Sequence, residues 1–282
     1  MTTGAVIFAQ NNASIDYIKL AVFAACKIHE HLDIPVSIAT DSKDYLLKAF
    51  PNHKFDQIIE LGYTDESSSK NFYDGALSSK SLAWKNHTRT NIFNLTPYDR
   101  TLVIDSDYII NSSVLKSALE NNYEFQIYQH SFDLAFERNN KEFQRINQYS
   151  ITFFWATVFI FEKTKVMELF FDLISNIKEN WQYYRLLYNI SSNLYRNDFA
   201  FSIAIHIMGG KMQNDFAIEL PGKMIYSMDT DVLVSSDGNK MKFLTQKKDY
   251  LGEYLIAKTN GLDVHVMNKL SLSRFIDGGS GV

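Results

Sequence analysis

The stretch that most constrains this chain is a short apolar run that ends in two acidic residues. Thr101 to Ile104 are apolar or β-branched without interruption, the pattern of a strand buried on both faces. Asp105 and Asp107 follow directly, one residue apart. Open α/β sheets bind ligands at the carboxyl ends of their strands, and residues i and i+2 of an extended segment point the same way. Both carboxylates are therefore expected to reach one small cation that bridges phosphate oxygens.

An Asp-x-Asp pair alone is common and favours a simpler interpretation, in which the two acids close a strand and solvate a turn. The preceding sequence favours a ligand-binding role instead, because apolar strand patterns alternate there with helical ones. Strands are predicted at 5–9, 35–40 and 55–61, with helices at 14–31 and 44–50 between them. This alternation predicts an α/β fold in which helices flank a parallel central sheet through right-handed crossovers.

Composition narrows the class of protein. The chain has 282 residues, 46% of them hydrophobic, which fits one large α/β domain. A net charge of −4 gives no general attraction to nucleic acid. The single cysteine, Cys26, fits a reducing compartment. Without a basic leader or an apolar run of membrane-spanning length, the expected location is the cytoplasm.

The segment before the Asp-x-Asp strand carries basic residues. A Ser-rich loop is predicted at 62–75, either a binding loop or a surface insertion, and a helix at 79–95. On one regular helix Lys85 and Arg89 share a face, whereas Lys80 and Arg89 are opposed. Arg89 is preferred as the site residue because it lies nearer the Asp-x-Asp strand, and an exposed cation is the alternative for each.

The second half supplies a strand at 151–162 and helices at 131–149, 163–178 and 181–195. Asn197 and Asp198 open a further helix that is apolar on nearly all sides. Either residue could serve only as a helix cap, so a functional role for Asp198 is one of two alternatives. Late in the chain, His265 alternates with valines in a short strand and Lys269 follows four residues on.

Polar residues also follow the first two strands, where doubly wound folds hold the base and ribose of a nucleotide. They are Gln10, Asn11 and Asn12 after the first strand and Asp41 after the second. The glycine pattern of a dinucleotide site is absent after the first strand, and the sequence contains no Walker-type phosphate loop.

Taken together, these motifs resemble the nucleotide-sugar-dependent glycosyltransferases of the A-type fold, most closely the family 8 group that includes glycogenin and bacterial galactosyltransferases. The matching stretches are the opening AVIFAQNN with its Ala-rich helix, LVIDSD around Asp105 and Asp107, the later VFIF strand, the Asn197-Asp198 helix and VHVMNK around His265. A weaker likeness is to glycosyltransferases encoded by large tailed phages, for which the cytoplasm would be that of the host cell.

The resemblance implies a Rossmann-like mixed, mostly parallel sheet and a role for each motif. Asp105, Asp107 and His265 would bind Mn²⁺ or Mg²⁺, with Asp105 also touching the ribose. The nucleoside-diphosphate sugar, with a UDP-sugar favoured, would be held by Ala9, Gln10, Asn11, Asn12, Asp41, Lys80, Arg89, Asp105, Ser106 and Lys269. Arg89 and Asp198 would act at the reacting sugar. A single domain at 1–276 would divide into a nucleotide-binding half at 1–110 and an acceptor-binding half at 111–276, with a flexible tail at 277–282.

Two departures from the family pattern leave the stereochemistry open. The lysine follows the histidine by four residues rather than six, and Asn197 is not followed by the family's Asp-Gln. The likeness favours retention, while an Asp198 that reaches the acceptor hydroxyl would favour inversion. A non-catalytic nucleotide-sugar-binding module and a nucleotidyltransferase are the alternative functions. The acceptor hydroxyl could belong to a glycan, a protein, a lipopolysaccharide or a modified DNA base.

Overall fold

The computed structural model describes residues 1–62, 68–85, 87–135, 138, 143–147, 150–212, 215–247 and 251–278. The strands in chain order are β1 (Thr3–Phe8), β2 (Val36–Thr40), β3 (Ile58–Glu60), β4 (Ser68–Tyr73), β5 (Ser79–Trp84), β6 (Arg100–Asp105), β7 (Tyr108–Ile109), β8 (Phe125–Tyr128), β9 (Ser131–Asp133), β10 (Trp155–Glu162), β11 (Ile218–Glu219), β12 (Met224–Ser227), β13 (Val232–Asp237), β14 (Lys240–Gln246), β15 (Tyr254–Asn260) and β16 (Val264–Val266). The helices are α1 (Tyr17–Leu32), α2 (Lys43–Ala49), a 3₁₀ turn (His87–Asn91), α3 (Ile92–Leu95), α4 (Lys116–Glu120), α5 (Lys165–Glu179), α6 (Trp181–Leu187), α7 (Asn197–Met208) and α8 (Lys269–Asp277).

A seven-stranded sheet in the order β11-β8-β10-β6-β1-β2-β3 forms the centre of the fold. All of its neighbouring pairs are parallel except those of β10, which runs antiparallel to both β6 and β8. The predicted α/β class with a mixed, mostly parallel sheet is confirmed. The Asp-x-Asp strand β6 lies between β1 and β10, and Asp105 is in register with Phe8 at the end of β1.

The core owes its density to aromatic side chains between the sheet and two helices. Phe159 of β10 contacts Phe201 of α7 with ring centroids 4.9 Å apart, and Phe170 of α5 contacts Phe125 of β8 at 4.8 Å. Each of these side chains is buried, because α5 and α7 turn their apolar faces to the sheet. The strand predicted at 151–162 is confirmed from Trp155 onward, and the helix predicted at 163–178 is confirmed as α5.

A second sheet, in the order β7-β16-β12-β9, determines the position of the late histidine. The short strand β7 directly follows the Asp-x-Asp motif and pairs antiparallel with β16, which places His265 opposite Tyr108. The backbone N–H of Val266 also donates to the carbonyl of Asp107 at 2.8 Å. The C-terminal strand is thereby held against the motif by backbone hydrogen bonds, independently of any ion.

The predicted loop at 62–75 and the start of the helix predicted at 79–95 are wrong. Residues 63–67 lie outside the described residues, but β4 and β5 form an antiparallel hairpin. Asp74 and Gly75 begin its turn, with Gly75 at φ +76°, a conformation that favours glycine. Phe72 is buried while its neighbours in β4 are exposed, which is the alternating pattern of a half-buried strand. The loop was predicted from the polar composition of this segment, and that alternation was overlooked.

Three further element boundaries differ from expectation. Helix α1 begins after Asp16 rather than Ser14, because the Asp16 side chain caps it by accepting from the N–H of Lys19, whereas the N–H of Ser14 donates to Asn12. The helix predicted at 181–195 ends at Leu187, with Asn189 left-handed at φ +52°. The helix predicted at 131–149 begins instead as strand β9, which pairs with β12.

The predicted tail at 277–282 needs one correction. Asp277 ends α8 and its carboxylate forms an ion pair with Lys19 at 2.7 Å, whereas 279–282 lie outside the described residues.

Candidate active site

The Asp-x-Asp motif and the late histidine converge at the carboxyl end of β6. Ligand atoms of Asp105, Asp107 and His265 all lie within 4.8 Å of one another. His265 Nε2 is 3.2 Å from Asp107 Oδ2, and the two residues are only 7% and 2% exposed. Two carboxylates and an imidazole at this spacing form a donor set that suits Mn²⁺ or Mg²⁺ better than a softer metal. The residues present therefore fit a divalent cation.

Lys269 joins the cluster from the first turn of α8. Its Nζ donates to Asp107 Oδ2 at 2.6 Å. Burial by itself raises the pKa of the Asp107 carboxyl, but the Lys269 ammonium and the His265 imidazole outweigh it and hold that pKa well below its usual value. Burial likewise lowers the pKa of Lys269, and the Asp107 carboxylate outweighs it and raises that pKa. Both groups are thus charged at neutral pH.

Arg89 lies on the 3₁₀ turn between the hairpin and α3, on the other side of the cluster. Its guanidinium forms an ion pair with Asp105 and donates to the carbonyl of Ala156 at 2.6 Å. Burial lowers the pKa of Arg89 to about 10, which still leaves it cationic at neutral pH. The predicted common face of Lys85 and Arg89 has no helix to support it, although both side chains reach the same cavity.

Asp198 is held from two directions at the start of α7. The N–H of Ala156 donates to Asp198 Oδ1 at 3.0 Å, and Arg196 Nη2 donates to Oδ2 at 2.9 Å. Arg196, rather than Asn197 or Asp198, occupies the N-cap position. The Asp198 side chain therefore does not cap its helix, and the Ala156 peptide connects it to Arg89.

These side chains line one cavity of about 560 Å³, within the usual range for small-molecule sites. Its charged and polar lining includes Gln10, Lys70, Lys85, Arg89, Asp105, Ser106, Asp107, Arg196, Asn197, Asp198, Asp229, His265 and Lys269. Aromatic walls come from Phe8, Tyr17, Phe72, Trp84, Phe143, Trp155 and Phe199. The cavity thus combines a metal-ligand set, several cations and flat apolar surfaces.

The structure brings only part of the predicted nucleotide-binding set to this cavity. Gln10 and Ser106 line the cavity, and so do Arg89 and Lys269, which are paired with Asp105 and Asp107. Ala9 is buried in the core and donates its N–H to Ala39. The sequence-predicted residues that do not line the cavity are Ala9, Asn11, Asn12, Asp41 and Lys80.

The displaced polar residues have structural partners. Asn11 accepts from the N–H of Ile18, and Asn12 bonds both the helix entry and the carbonyl of Ala83. Asp41 accepts from Lys85 Nζ at 2.7 Å and from Gln10 Nε2 at 3.3 Å. It therefore positions two side chains that do line the cavity.

Sequence reasoning missed several lining residues. Lys70 and Trp84 belong to the hairpin, whose Asp-Gly turn and alternating pattern were the available signals. Arg196 adjoins a motif that was recognised. Asp229 lies in the turn after β12, and burial raises the pKa of its carboxyl. No local sequence pattern marks Asp229, since its place in the cavity depends on long-range pairing.

None of the described helices combines the length and apolar character needed to cross a bilayer. No protein-family model and no curated protein matches the sequence.

Solved structures that resemble the chain include the glycosyltransferase GlyE of Streptococcus pneumoniae TIGR4, at a TM-score of 0.46 and 13% identity. The match covers 78% of this chain, which spans only 45% of GlyE. The galactosyltransferase LgtC, in complex with donor and acceptor sugar analogues, matches at a TM-score of 0.45 and 13% identity, covering 77% of this chain and 72% of LgtC. The apo form of GlyE matches at 0.40 and 14% identity. The likeness concerns the fold alone.

Proposed function

We propose that this protein is a metal-dependent glycosyltransferase that uses a nucleoside-diphosphate sugar, with a UDP-sugar favoured by the sequence resemblance. The observation that carries the proposal is the meeting of Asp105, Asp107 and His265 at the carboxyl end of a central strand, facing a cavity with several cations. Acidic residues with a purely structural role would not be expected to face such a cavity. The combination fits a ligand that contains both a divalent cation and phosphates.

In the proposed reaction, three side chains would bind the metal and two basic side chains would supply fixed positive charge. A divalent cation held by Asp105, Asp107 and His265 would neutralise the charge that develops on the departing diphosphate. Lys269 and Arg89 add positive charge that is already in place before the reaction, since both are held by ion pairs. The nucleotide would lie along the part of the cavity formed by residues 1–110, and the acceptor along the part formed by 111–276.

Asp198 is proposed to position the donor sugar rather than to accept a proton. Both of its carboxylate oxygens already accept hydrogen bonds, from Ala156 N–H and from Arg196. These two bonds fix the orientation of the carboxylate, which suits a positioning role. The retaining route, which the sequence resemblance favours, needs no carboxylate base: the bond from the anomeric carbon to the phosphate oxygen breaks, a bond to the acceptor oxygen forms, and the departing phosphate receives the acceptor's proton.

The acceptor is proposed to present a hydroxyl group, on a glycan, a protein, a lipopolysaccharide or a modified DNA base. A DNA duplex is the least favoured of these, because the chain carries a net charge of −4. Several aromatic side chains of the acceptor part, including Phe143 and Phe199, line the cavity and would stack on a sugar ring.

The test is release of nucleoside diphosphate from a panel of sugar nucleotides, with Mn²⁺ and after its removal by chelation. We expect Mn²⁺-dependent release by the wild type, at least a hundredfold less by Asp107→Asn, and no change for Asp237→Asn, an exposed carboxylate outside the cavity. Equal release by the wild type and Asp107→Asn would refute the proposal. Binding without release or transfer across a broad acceptor panel would indicate a binding module instead.

A further inference from the structure

The β4–β5 hairpin places one lysine over two aromatic rings in the wall of the cavity. Lys70 Nζ lies 5.3 Å from the centroid of the Trp84 ring and 5.8 Å from that of Phe72. The cross-strand pairs Ser68–Trp84 and Lys70–Leu82 put the three side chains on the same face of the hairpin. All three line the cavity. The ammonium group therefore rests on a platform of two rings instead of extending freely into solvent.

Lys70 differs in its charge balance from the other cations of the cavity. Four of those cations form ion pairs: Lys85 with Asp41, Arg89 with Asp105, Arg196 with Asp198, and Lys269 with Asp107. Lys70 has no ion pair within the part of the chain that the structure describes, and its contacts there are the two rings. Among the described lysines and arginines of the cavity, Lys70 is therefore the one whose charge no paired carboxylate offsets.

The surroundings of Lys70 are themselves positive. The Lys70 side chain is exposed to the cavity. Partial desolvation by the cavity wall is the largest cause that lowers its pKa, to about 8, and the charges of Lys269 and Arg196 lower it further. Asp229 opposes this effect more weakly. Three cations that face one space repel one another, and an anion placed between them would relieve that repulsion.

The hairpin that carries Lys70 is fixed to the body of the protein at both ends. Arg274 donates two hydrogen bonds to the Asp74 carboxylate, at 2.5 and 2.7 Å, and Ala76 N–H donates to the Tyr254 hydroxyl at 2.8 Å. Near the other end, Asn12 donates to the carbonyl of Ala83 at 3.0 Å. The platform is thus in place before a ligand arrives, which lowers the entropic cost of binding.

We propose that Lys70, supported by Trp84 and Phe72, binds phosphate oxygens of the donor's diphosphate from the side of the cavity formed by the hairpin. The assignment rests on the proposed function, which supplies the diphosphate. A lysine acts as a compact point charge with three donors, a form suited to phosphate oxygens. Lys269 and Arg196 contribute to the same electrostatic field, so the diphosphate would be held between the hairpin and the start of α8.

The test is calorimetric binding of UDP and of unphosphorylated uridine in the presence of Mn²⁺. We expect Lys70→Met to weaken UDP binding about tenfold or more, and Lys70→Arg to retain most of it, because the charge is kept. Uridine binding should be the same in all variants. Lys240→Met is the control: it is an exposed lysine of β14 that does not line the cavity, so its UDP affinity should equal that of the wild type.

The outcomes separate this inference from the proposed function. If Asp107→Asn abolishes the Mn²⁺-dependent binding of UDP while Lys70→Met binds as the wild type does, the role of Lys70 is overturned and the proposed function stands. If Lys70→Met loses uridine binding as strongly as UDP binding, the residue has a structural role and the assignment is overturned. If the wild type binds no UDP, the same comparison is made with the other nucleoside diphosphates, and both proposals fail if none of them binds with Mn²⁺.

Discussion

Replacing Lys269 by methionine would reveal whether the Asp107 carboxylate is balanced by a protein cation when metal is absent. Lys269 Nζ is 2.6 Å from Asp107 Oδ2, and the two side chains are 15% and 3% exposed. Removing one partner of a buried pair costs about 3–5 kcal/mol because the other charge remains buried. Lys269 is partly exposed, and His265 remains beside Asp107 in the variant, so we expect a loss of unfolding free energy near the lower end of this range, about 3 kcal/mol.

That loss converts into a measurable change in melting temperature. At about 2.1 cal/mol/K per residue, the unfolding entropy of a 282-residue chain is roughly 0.6 kcal/mol/K, so about 3 kcal/mol lowers the Tm by about 5 °C. Adding Mn²⁺ should reverse the change, because a divalent cation would neutralise the carboxylate that the variant leaves unpaired. The Mn²⁺-induced rise in Tm should therefore be larger in Lys269→Met than in the wild type.

Differential scanning calorimetry with chelator and with Mn²⁺ provides both numbers. Lys80→Met, an exposed cation away from the cluster, is the control and should change the unfolding free energy by less than about 0.5 kcal/mol. A Tm of Lys269→Met within about 1 °C of the wild type in chelator, or a Mn²⁺ response no larger than that of the wild type, would refute the reasoning.

The remaining predictions concern the frame that supports the cavity. Gly4→Ala should destabilise the fold by about 1–3 kcal/mol in urea titration, because its Cβ would lie 2.4 Å from the Tyr98 ring, whereas Gly62→Ala meets nothing within 4 Å and should be neutral. Arg138→Met should cost about 3 kcal/mol by the same measurement, since it removes the cation that is paired with two buried carboxylates, Asp133 and Asp231. The Arg274 guanidinium holds the pKa of Asp74 below its usual 3.8, so this ionisation stabilises the hairpin fully above about pH 4 and the benefit is lost as the pH falls through the lowered value. The protection factors of the hairpin amides, which correct for the intrinsic exchange rate at each pH, should accordingly fall by up to about fivefold in acid in the wild type, and already at pH 7 in Asp74→Asn. Unchanged protection in Asp74→Asn would contradict the anchoring role.

The sequence predicts best those features that depend on short-range periodicity. The run Thr101 to Ile104 is a central strand because apolar residues on both faces leave no other stable arrangement, and Asp105 and Asp107 follow from its end. The buried helix α7 was equally accessible, since it is apolar on nearly all sides. In each case local pattern and tertiary environment agree.

Features that depend on pairing between distant segments were harder to predict. The hairpin was not predicted because most of its residues are polar: the buried Phe72 belongs to a cluster with side chains of α1 and of the C-terminal part of the chain. Asn11 and Asn12 were assigned to a nucleotide from their position, but their side chains bond backbone groups around the start of α1. Polar side chains at a strand end can serve either purpose, and composition does not distinguish the two.

The placing of His265 and Lys269 by a strand that pairs with β7 has a consequence for synthesis of the protein. Lys269 and Asp107 lie 162 positions apart, so closing this contact restricts a very long loop and comes late as the chain leaves the ribosome. The nascent polypeptide could complete its main sheet while the acidic pair still lacks its imidazole and ammonium partners. The proposed cation site would then be complete only once the segment around His265 has emerged and docked.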